Sequence, residues 1–191
     1  MTKKDFSDEE LVKKSLENID FFEDLISRFE KKILNFILRI SSFKKEEAEE
    51  ILQEVFLKAW KNLNDFDKDL KFSTWIFTIA RYETISHFRK TKSRFETFSP
   101  DLKIEDLEEI SSKINLEKEI GLKIKQEKIR KIINDLPTKY KEVLILKFLE
   151  EKTTKEIADI LKKPEKTIST LIHRAKKLLK NNLNSKFFIF I

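Results

Sequence analysis

The 191-residue sequence is 39% charged and 40% hydrophobic and carries a net charge of +6 at pH 7. That length and balance allow one domain or two small ones with modest cores. With one Gly and three Pro the chain excludes hairpin-rich β structure, and with no Cys it excludes disulfides, cysteine-based zinc sites and a thiol nucleophile.

The first thirty residues hold five basic and nine acidic side chains, and MTKKDFSDEE lacks the apolar run of a secretory signal. No stretch reaches the roughly 18 apolar residues a membrane span needs, so a cytoplasmic chain without membrane insertion is expected. From Leu11 to Leu63 the period is helical, with Leu25, Ile26, Phe29, Ile33, Phe36, Ile37 and Ile40 at three- and four-residue steps. SSFKK breaks the pattern, with Ser41 or Ser42 as the cap of the next helix, EEAEEILQEVFLKAWKNL. Ile51, Leu52, Val55, Phe56 and Ala59 form that helix's apolar stripe, while Glu49, Glu50, Gln53 and Glu54 form an acidic, polar face. An acidic face repels DNA and suits a basic protein partner.

NLNDFDKDLKF reads as a polar loop, and STWIFTIARYETISHFRKTKSR as a helix capped by Ser73 or Thr74. Its end is basic: Arg81, Arg89, Lys90, Lys92 and Arg94 stand against Glu83 alone. Aromatics interleaved with such cations can stack on unpaired bases while Arg and Lys hold the backbone. Phe77 and Ile79 read as core. From Phe95 to about Gln126 acidic residues are frequent and Pro100 interrupts, which reads as a tether, helical in part, between two domains. A helical unit resumes at Glu127, with Pro137-Thr138 as a stop and restart and Thr153 or Thr154 capping a short helix that ends near Leu161. The KFFIFI tail is a short apolar run.

The last helix follows a turn at Lys162–Glu165. At about 100° per residue, Ile168, Ile172, Ala175 and Leu179 share one face with Leu171 at its border. Lys166, Ser169, Thr170, His173, Arg174 and Lys177 lie opposite, with Thr167 beside them. A short helix, a tight turn and a longer helix with a polar-basic face make a helix-turn-helix, whose second helix fills a major groove. An ordinary helical hairpin is the competing reading. His173 and the distant His87 have no partner at ligand spacing, so no metal is expected.

EEAEEILQEVFLKAWKNL followed by FSTWIFTIARYETISHFRK resembles the polymerase-binding and promoter-melting domain of bacterial sigma factors. LPTKYKEVLILKFLEEKTTKEIADILKKPEKTISTLIHRAKKLL resembles their C-terminal helix-turn-helix domain, and the two-domain size resembles the extracytoplasmic-function (ECF) class. The resemblance implies an all-α chain of two small helical domains. The first spans 8–94 and binds polymerase and the minus-ten element. A linker spans 95–126. The second spans 127–184 and binds the minus-thirty-five element, and 185–191 is a tail.

By the same resemblance Glu50, Gln53 and Glu54 dock the coiled-coil clamp of core RNA polymerase. The loop from Asn64 to Lys71, with Phe66 and Phe72, captures a flipped base of the melted non-template strand. Arg81, Tyr82, Ser86, Arg89 and Lys90 lie beside the minus-ten element, and Glu165 to Lys177 read duplex promoter DNA. Anti-sigma regulators are common for such factors, and nothing in this sequence itself marks one. The family usually has Asp at Glu50, often Asn at Tyr82, commonly Gly at Lys162 and often basic residues at Ser169 and Leu171.

No phosphate-cradling Gly loop, ligand cluster or nucleophile–base pair points to an enzyme or a cofactor. A dimeric helix-turn-helix regulator acting without polymerase is the alternative, and it requires palindromic sites. A helical adaptor with incidental basic faces is a third reading.

Overall fold

The computed structural model describes residues 6–41, 43–67, 69–91, 103–114 and 135–185. The chain divides into two compact units, Met1–Thr97 and Phe98–Ile191, and every regular element among the described residues is helical.

In the first unit α1 (Asp8–Glu17), α2 (Asp20–Ile40), α3 (Lys45–Lys61) and α4 (Phe72–Thr91) pack around one core, with a 3-10 turn at Leu63–Asp65. Besides the break expected at SSFKK, the helical period from Leu11 to Leu63 is broken once more, between α1 and α2. Asn18 leaves the helix in extended backbone, its side chain accepts from the Asp20 N–H at 2.9 Å, and α2 starts there. Ser7 caps α1: its hydroxyl accepts from the Glu10 N–H at 3.2 Å, and Glu10 accepts from the Ser7 N–H at 2.7 Å. Arg28 of α2 fixes that end by donating to the Asp8 carboxylate at 2.9 Å and the Phe6 carbonyl at 2.8 Å. Phe22, Leu25, Phe29, Ile33, Phe36, Ile37 and Ile40 all bury, so α2 is the central staff of the unit.

Two expected caps differ. Ser41 closes α2, donating to the Ile37 carbonyl at 2.7 Å, and α3 is started by Glu47 accepting from the Lys44 N–H at 3.1 Å. At α4, Ser73 and Thr74 lie inside the first turn. The Phe72 N–H instead donates to Glu9 of α1 at 3.2 Å, and the buried Thr74 hydroxyl has no partner among the described residues. Burial of the Phe72 ring sets this earlier start. The ring is 0% exposed and lies 5.3 Å from Phe29, 6.0 Å from Phe66 and 5.8 Å from Trp75.

In the second unit α6 (Thr138–Leu144) widens into a π-helical turn at Ile145–Leu149, followed by α7 (Thr154–Leu161) and α8 (Glu165–Ser185). Leu136, Tyr140, Val143, Leu144, Ile145, Leu146, Ile157, Ile160, Ile168, Ala175 and Leu179 supply the core. The stretch expected to be a tether contains α5 (Ile104–Lys113), which packs on the π turn. Ile110 and Ile114 bury, and Lys113 donates to the Phe148 carbonyl at 2.7 Å and to Glu151 at 2.8 Å while also pairing with Glu109 at 2.9 Å. Spaced apolar residues made this docking possible, and the acidic composition hid it. The helix expected from Glu127, through residue 134, and the KFFIFI tail lie outside the described residues.

Removing the Phe72 ring leaves a cavity between α2 and α4. Phe72→Ala is expected to lower the stability of the first unit by about 3–5 kcal/mol. Both tryptophans, Trp60 and Trp75, lie in that unit, so urea unfolding followed by tryptophan fluorescence measures it.

The Lys113 hydrogen bond, then its charge, holds the Glu151 carboxyl below its ordinary 4.5. A lowered folded value means stabilisation that is present above 4.5 and lost as pH falls through the folded value. Glu151→Gln is therefore expected to lower the thermal midpoint slightly at pH 7, and the gap to the parent chain should close below the ordinary carboxylate range. Circular dichroism melts across pH read this.

Candidate nucleic-acid and protein interfaces

Burial of Ala48, Ile51, Leu52, Val55, Phe56 and Ala59 turns the other side of α3 outward. There Glu50, Gln53 and Glu54 are exposed, and Glu49 is half-buried, 3.4 Å from Lys45 one turn away. Gln53 sits on a ridge between two grooves. On one side is a mixed-charge groove of about 550 Å³, where Glu50, Gln53 and Glu54 face Ser86, His87 and Lys90 of α4. On the other is an apolar groove of about 430 Å³ lined by Phe22, Ile26, Leu52, Phe56, Leu57 and Trp60.

The sequence reading missed the element joining α3 to α4. Lys58 donates to Glu83 at 2.7 Å, and Glu83 is buried. A signal was present. Glu83 is the only acid in the basic block and falls in step with Ile76 and Ala80, on the side of α4 that buries. Its charge tolerates that position because Lys58 meets it.

The residues expected to touch DNA from the first unit divide into two groups. Lys71, Tyr82, Arg89 and Lys90 are exposed, and Arg81 and Ser86 are half-buried on α4. Phe66 and Phe72 are core rings, 7% and 0% exposed, which corrects the picture of a loop offering both to a base. Phe66 packs 5.3 Å from Trp75. Large aromatics beside a short loop bury when a neighbouring cluster accepts them, and Phe29 supplies that neighbour. The loop outside them is tightened by Asp67, whose carboxylate accepts from the Asp69 N–H at 2.9 Å.

In the second unit α7 begins with a reciprocal cap. Thr153 Oγ1 accepts from the Glu156 N–H at 3.2 Å, and Glu156 accepts from the Thr153 N–H at 2.7 Å. The chain leaves α7 through Lys162 at φ 52°, ψ 51°, with the Lys163 N–H bonded to the Ala158 carbonyl at 3.0 Å. This is the left-handed helix end that glycine normally takes. The turn keeps its shape although Lys stands there. Pro164 then opens α8, its carbonyl accepting from Thr167 at 2.9 Å and Ile168 at 3.1 Å.

Ile168, Ala175 and Leu179 bury against the unit, and Lys166, Thr167, Ser169, Thr170, His173, Arg174 and Lys177 are all exposed. No ion pair or hydrogen bond among the described residues engages the side chains of Lys166, His173, Arg174 or Lys177. Thr170 donates to the Lys166 carbonyl at 2.9 Å, which leaves its oxygen free to accept. An α-helix with this face fits a major groove about 12 Å wide. Among the described residues no group of three His, Cys, Asp or Glu could hold a metal ion, and no helix is long and apolar enough to cross a membrane.

The sequence profile of Sigma-70 region 2 matches residues 25–94, which carry most of α2 and all of α3 and α4, and that of Sigma-70 region 4 matches residues 126–179, which carry the helix-turn-helix. The ECF RNA polymerase sigma factor SigW of Bacillus subtilis (strain 168) is 31% identical over 185 residues, covering 92% of this chain and 98% of that protein. The chain belongs to the ECF RNA polymerase sigma factors.

Solved structures agree on the fold. CnrH, in complex with the cytosolic domain of CnrY, superposes with a TM-score of 0.65 at 20% identity, covering 93% of this chain and 97% of that one. The sigma factor RpoE of Bartonella quintana, in complex with the anti-sigma factor NepR, gives 0.58 at 21% identity over 85% of this chain and 96% of that one. This sigma factor binds core RNA polymerase and directs promoter-specific transcription initiation, and the dimeric-regulator alternative is not favoured.

Lys162 holds a backbone conformation that disfavours any Cβ. Lys162→Gly in this sigma factor is expected to raise the stability of the second unit by roughly 0.5–1 kcal/mol. Thermal unfolding followed by circular dichroism measures the gain.

Proposed function

We propose that this sigma factor divides its work among three helix faces and performs no catalysis of its own. Glu49, Glu50, Gln53 and Glu54 on α3 meet a basic surface of core RNA polymerase. Lys71, Arg81, Tyr82, Ser86, Arg89 and Lys90 in and beside α4 hold the melted minus-ten region, with Phe66 and Phe72 supporting the loop from beneath. Lys166, Thr167, Ser169, Thr170, His173, Arg174 and Lys177 on α8 read the duplex minus-thirty-five element. The carrying observation is the α8 face itself, on which every one of those seven side chains is exposed while Ile168, Ala175 and Leu179 bury.

The physics of each face follows from its charge. Acidic residues on α3 keep that helix off phosphates and attract cations, so it orients the factor on a protein and leaves DNA to the other two. On α8, Lys166, Arg174 and Lys177 neutralise phosphates and release counterions, which makes binding fall steeply with salt. Ser169, Thr170 and His173 lie where base edges would be, and each presents a donor or an acceptor. Unpairing a base costs a few kcal/mol, which stacking and backbone contacts at α4 offset. An anti-sigma protein as a further partner is part of this reading, since RpoE was solved with one. No membrane insertion is involved, and the site of action is the cytoplasm, where polymerase and promoter are.

Run-off transcription with core RNA polymerase over a library of candidate promoters tests the reading. The chain should direct initiation from a defined promoter class. Glu50→Lys with Glu54→Lys should weaken core binding roughly tenfold or more. Arg174→Glu with Lys177→Glu should leave core binding intact and abolish promoter selection. Initiation that survives the α8 reversal, or core binding indifferent to the α3 reversal, contradicts the assignment.

A further inference from the structure

Two residues other than glycine hold left-handed backbone among the described residues, Glu151 at φ 53° and Lys162 at φ 52°. A Cβ makes that conformation costly, and such strain persists only where the surroundings over-determine it, often at functional places. Glu151 has a task inside the fold: its carboxylate accepts from Lys113 of α5 at 2.8 Å. The Lys162 side chain has no such task. The Lys162 N–H bonds to the Ala158 and Asp159 carbonyls, so the backbone alone closes α7. The side chain is exposed, and no ion pair or hydrogen bond among the described residues engages it. Lys163 beside it is also exposed, and its ammonium is equally unengaged among the described residues. From Lys162 to Lys177 the only acid is Glu165, so the turn continues the positive charge of the α8 face.

We propose that Lys162 and Lys163 clamp phosphates of the strand that borders the groove read by α8. The proposal rests on the assignment of α8 to duplex DNA and adds two contacts to it. In a helix-turn-helix the second helix contacts base edges with its N-terminal residues, and the first helix crosses the sugar-phosphate backbone. The turn that joins them therefore passes over that backbone. Here it runs from Lys162 to Pro164, and the exposed Lys166, Ser169 and Thr170 follow on α8. A glycine at 162 would suit the backbone better and leave the phosphates one cation short. Lysine is a compact charge on a flexible stem, which suits a phosphate met from a turn without bidentate geometry. Such a contact sets affinity and position and carries no sequence information. The rival use of Lys162 is to face the carbonyl end of α7, where a cation is favourable. That use stabilises the fold and leaves DNA binding untouched, so the two are separable.

The test uses holoenzyme assembled from the full chain and core RNA polymerase. The probe is a labelled duplex that carries the minus-thirty-five element of a promoter shown active by run-off transcription and ends before the minus-ten element. Fluorescence anisotropy gives its affinity, and that of a scrambled duplex, over a series of KCl concentrations. Lys162→Gly is expected to weaken binding about fivefold at about 0.1 M KCl and to make the slope of log affinity against log salt shallower by about one. Lys163→Ala should do the same, and the double variant should add the two effects. The ratio of promoter to scrambled affinity should stay within about twofold, because both duplexes offer the same phosphates. Lys162→Asn, which tolerates left-handed backbone and carries no charge, should match the glycine variant. Lys162→Arg should keep the wild-type slope. Glycine relieves the backbone at 162, so a misfolded second unit cannot account for the loss.

The proposal is overturned if Lys162→Gly leaves affinity and salt slope at their wild-type values, which would assign the side chain to the end of α7. It is also overturned if the loss falls on the promoter duplex and spares the scrambled one, which would make these lysines base readers. A loss in Lys162→Arg as large as in Lys162→Gly overturns it too, because charge would then not be the cause. A wild-type holoenzyme that binds both duplexes alike would overturn the reading of α8 itself, a result separable from the others because no variant is needed to see it.

Discussion

Each interacting face of this chain exists because a narrow apolar stripe on the opposite side of the same helix is buried. With no disulfide and 39% of its residues charged, the protein holds two small cores together by stripes alone. In α2 the stripe runs its whole length and makes the helix a scaffold. In α3, α4 and α8 it occupies one side and leaves the other free for charge. The Phe29–Phe72–Phe66–Trp75 cluster is the joint in the first unit where this constraint is tightest. It sets where α4 begins and therefore which residues of α4 point outward.

The same constraint explains what could be read in the sequence. For α8, period alone separated Ile168, Ala175 and Leu179 from Arg174 and Lys177, because a long amphipathic helix at the edge of a unit obeys its own periodicity. For α3 the acidic face and the buried stripe were equally plain. The events that sequence hid were tertiary. Glu9 of α1 takes over the start of α4, a contact between residues 63 apart in sequence. Ser41 spends its hydroxyl on the end of α2. Phe66 and Phe72, polar-loop neighbours on paper, have a ring cluster waiting for them. The acidic stretch around α5 reads as solvated until Ile110 and Ile114 find the π turn. Lys162 shows the converse case, where the tertiary hairpin holds a left-handed turn that local preference disfavours.

Within the first unit the helix proposed to face protein and the helix proposed to face nucleic acid are neighbours. α3 and α4 share a groove with acids on one wall and Ser86, His87 and Lys90 on the other, and the Lys58–Glu83 pair ties the two helices beside it. A partner seated on α3 would therefore sit within reach of residues on α4. Breaking that pair would leave a buried carboxylate unmatched, which is a larger penalty than losing an exposed ion pair. The second unit has no comparable meeting of signs on α8, whose exposed face is basic and polar from Lys166 to Lys177.

The central claim is that opposite charges on separate helices send one to protein and the other to DNA. Photo-crosslinking tests it most directly, with a photoreactive amino acid at Gln53 or at Thr170 in holoenzyme bound to an active promoter. The account predicts that position 53 labels a polymerase subunit and position 170 labels duplex DNA upstream of the melted region. DNA labelled from 53, or polymerase and no DNA labelled from 170, would contradict it.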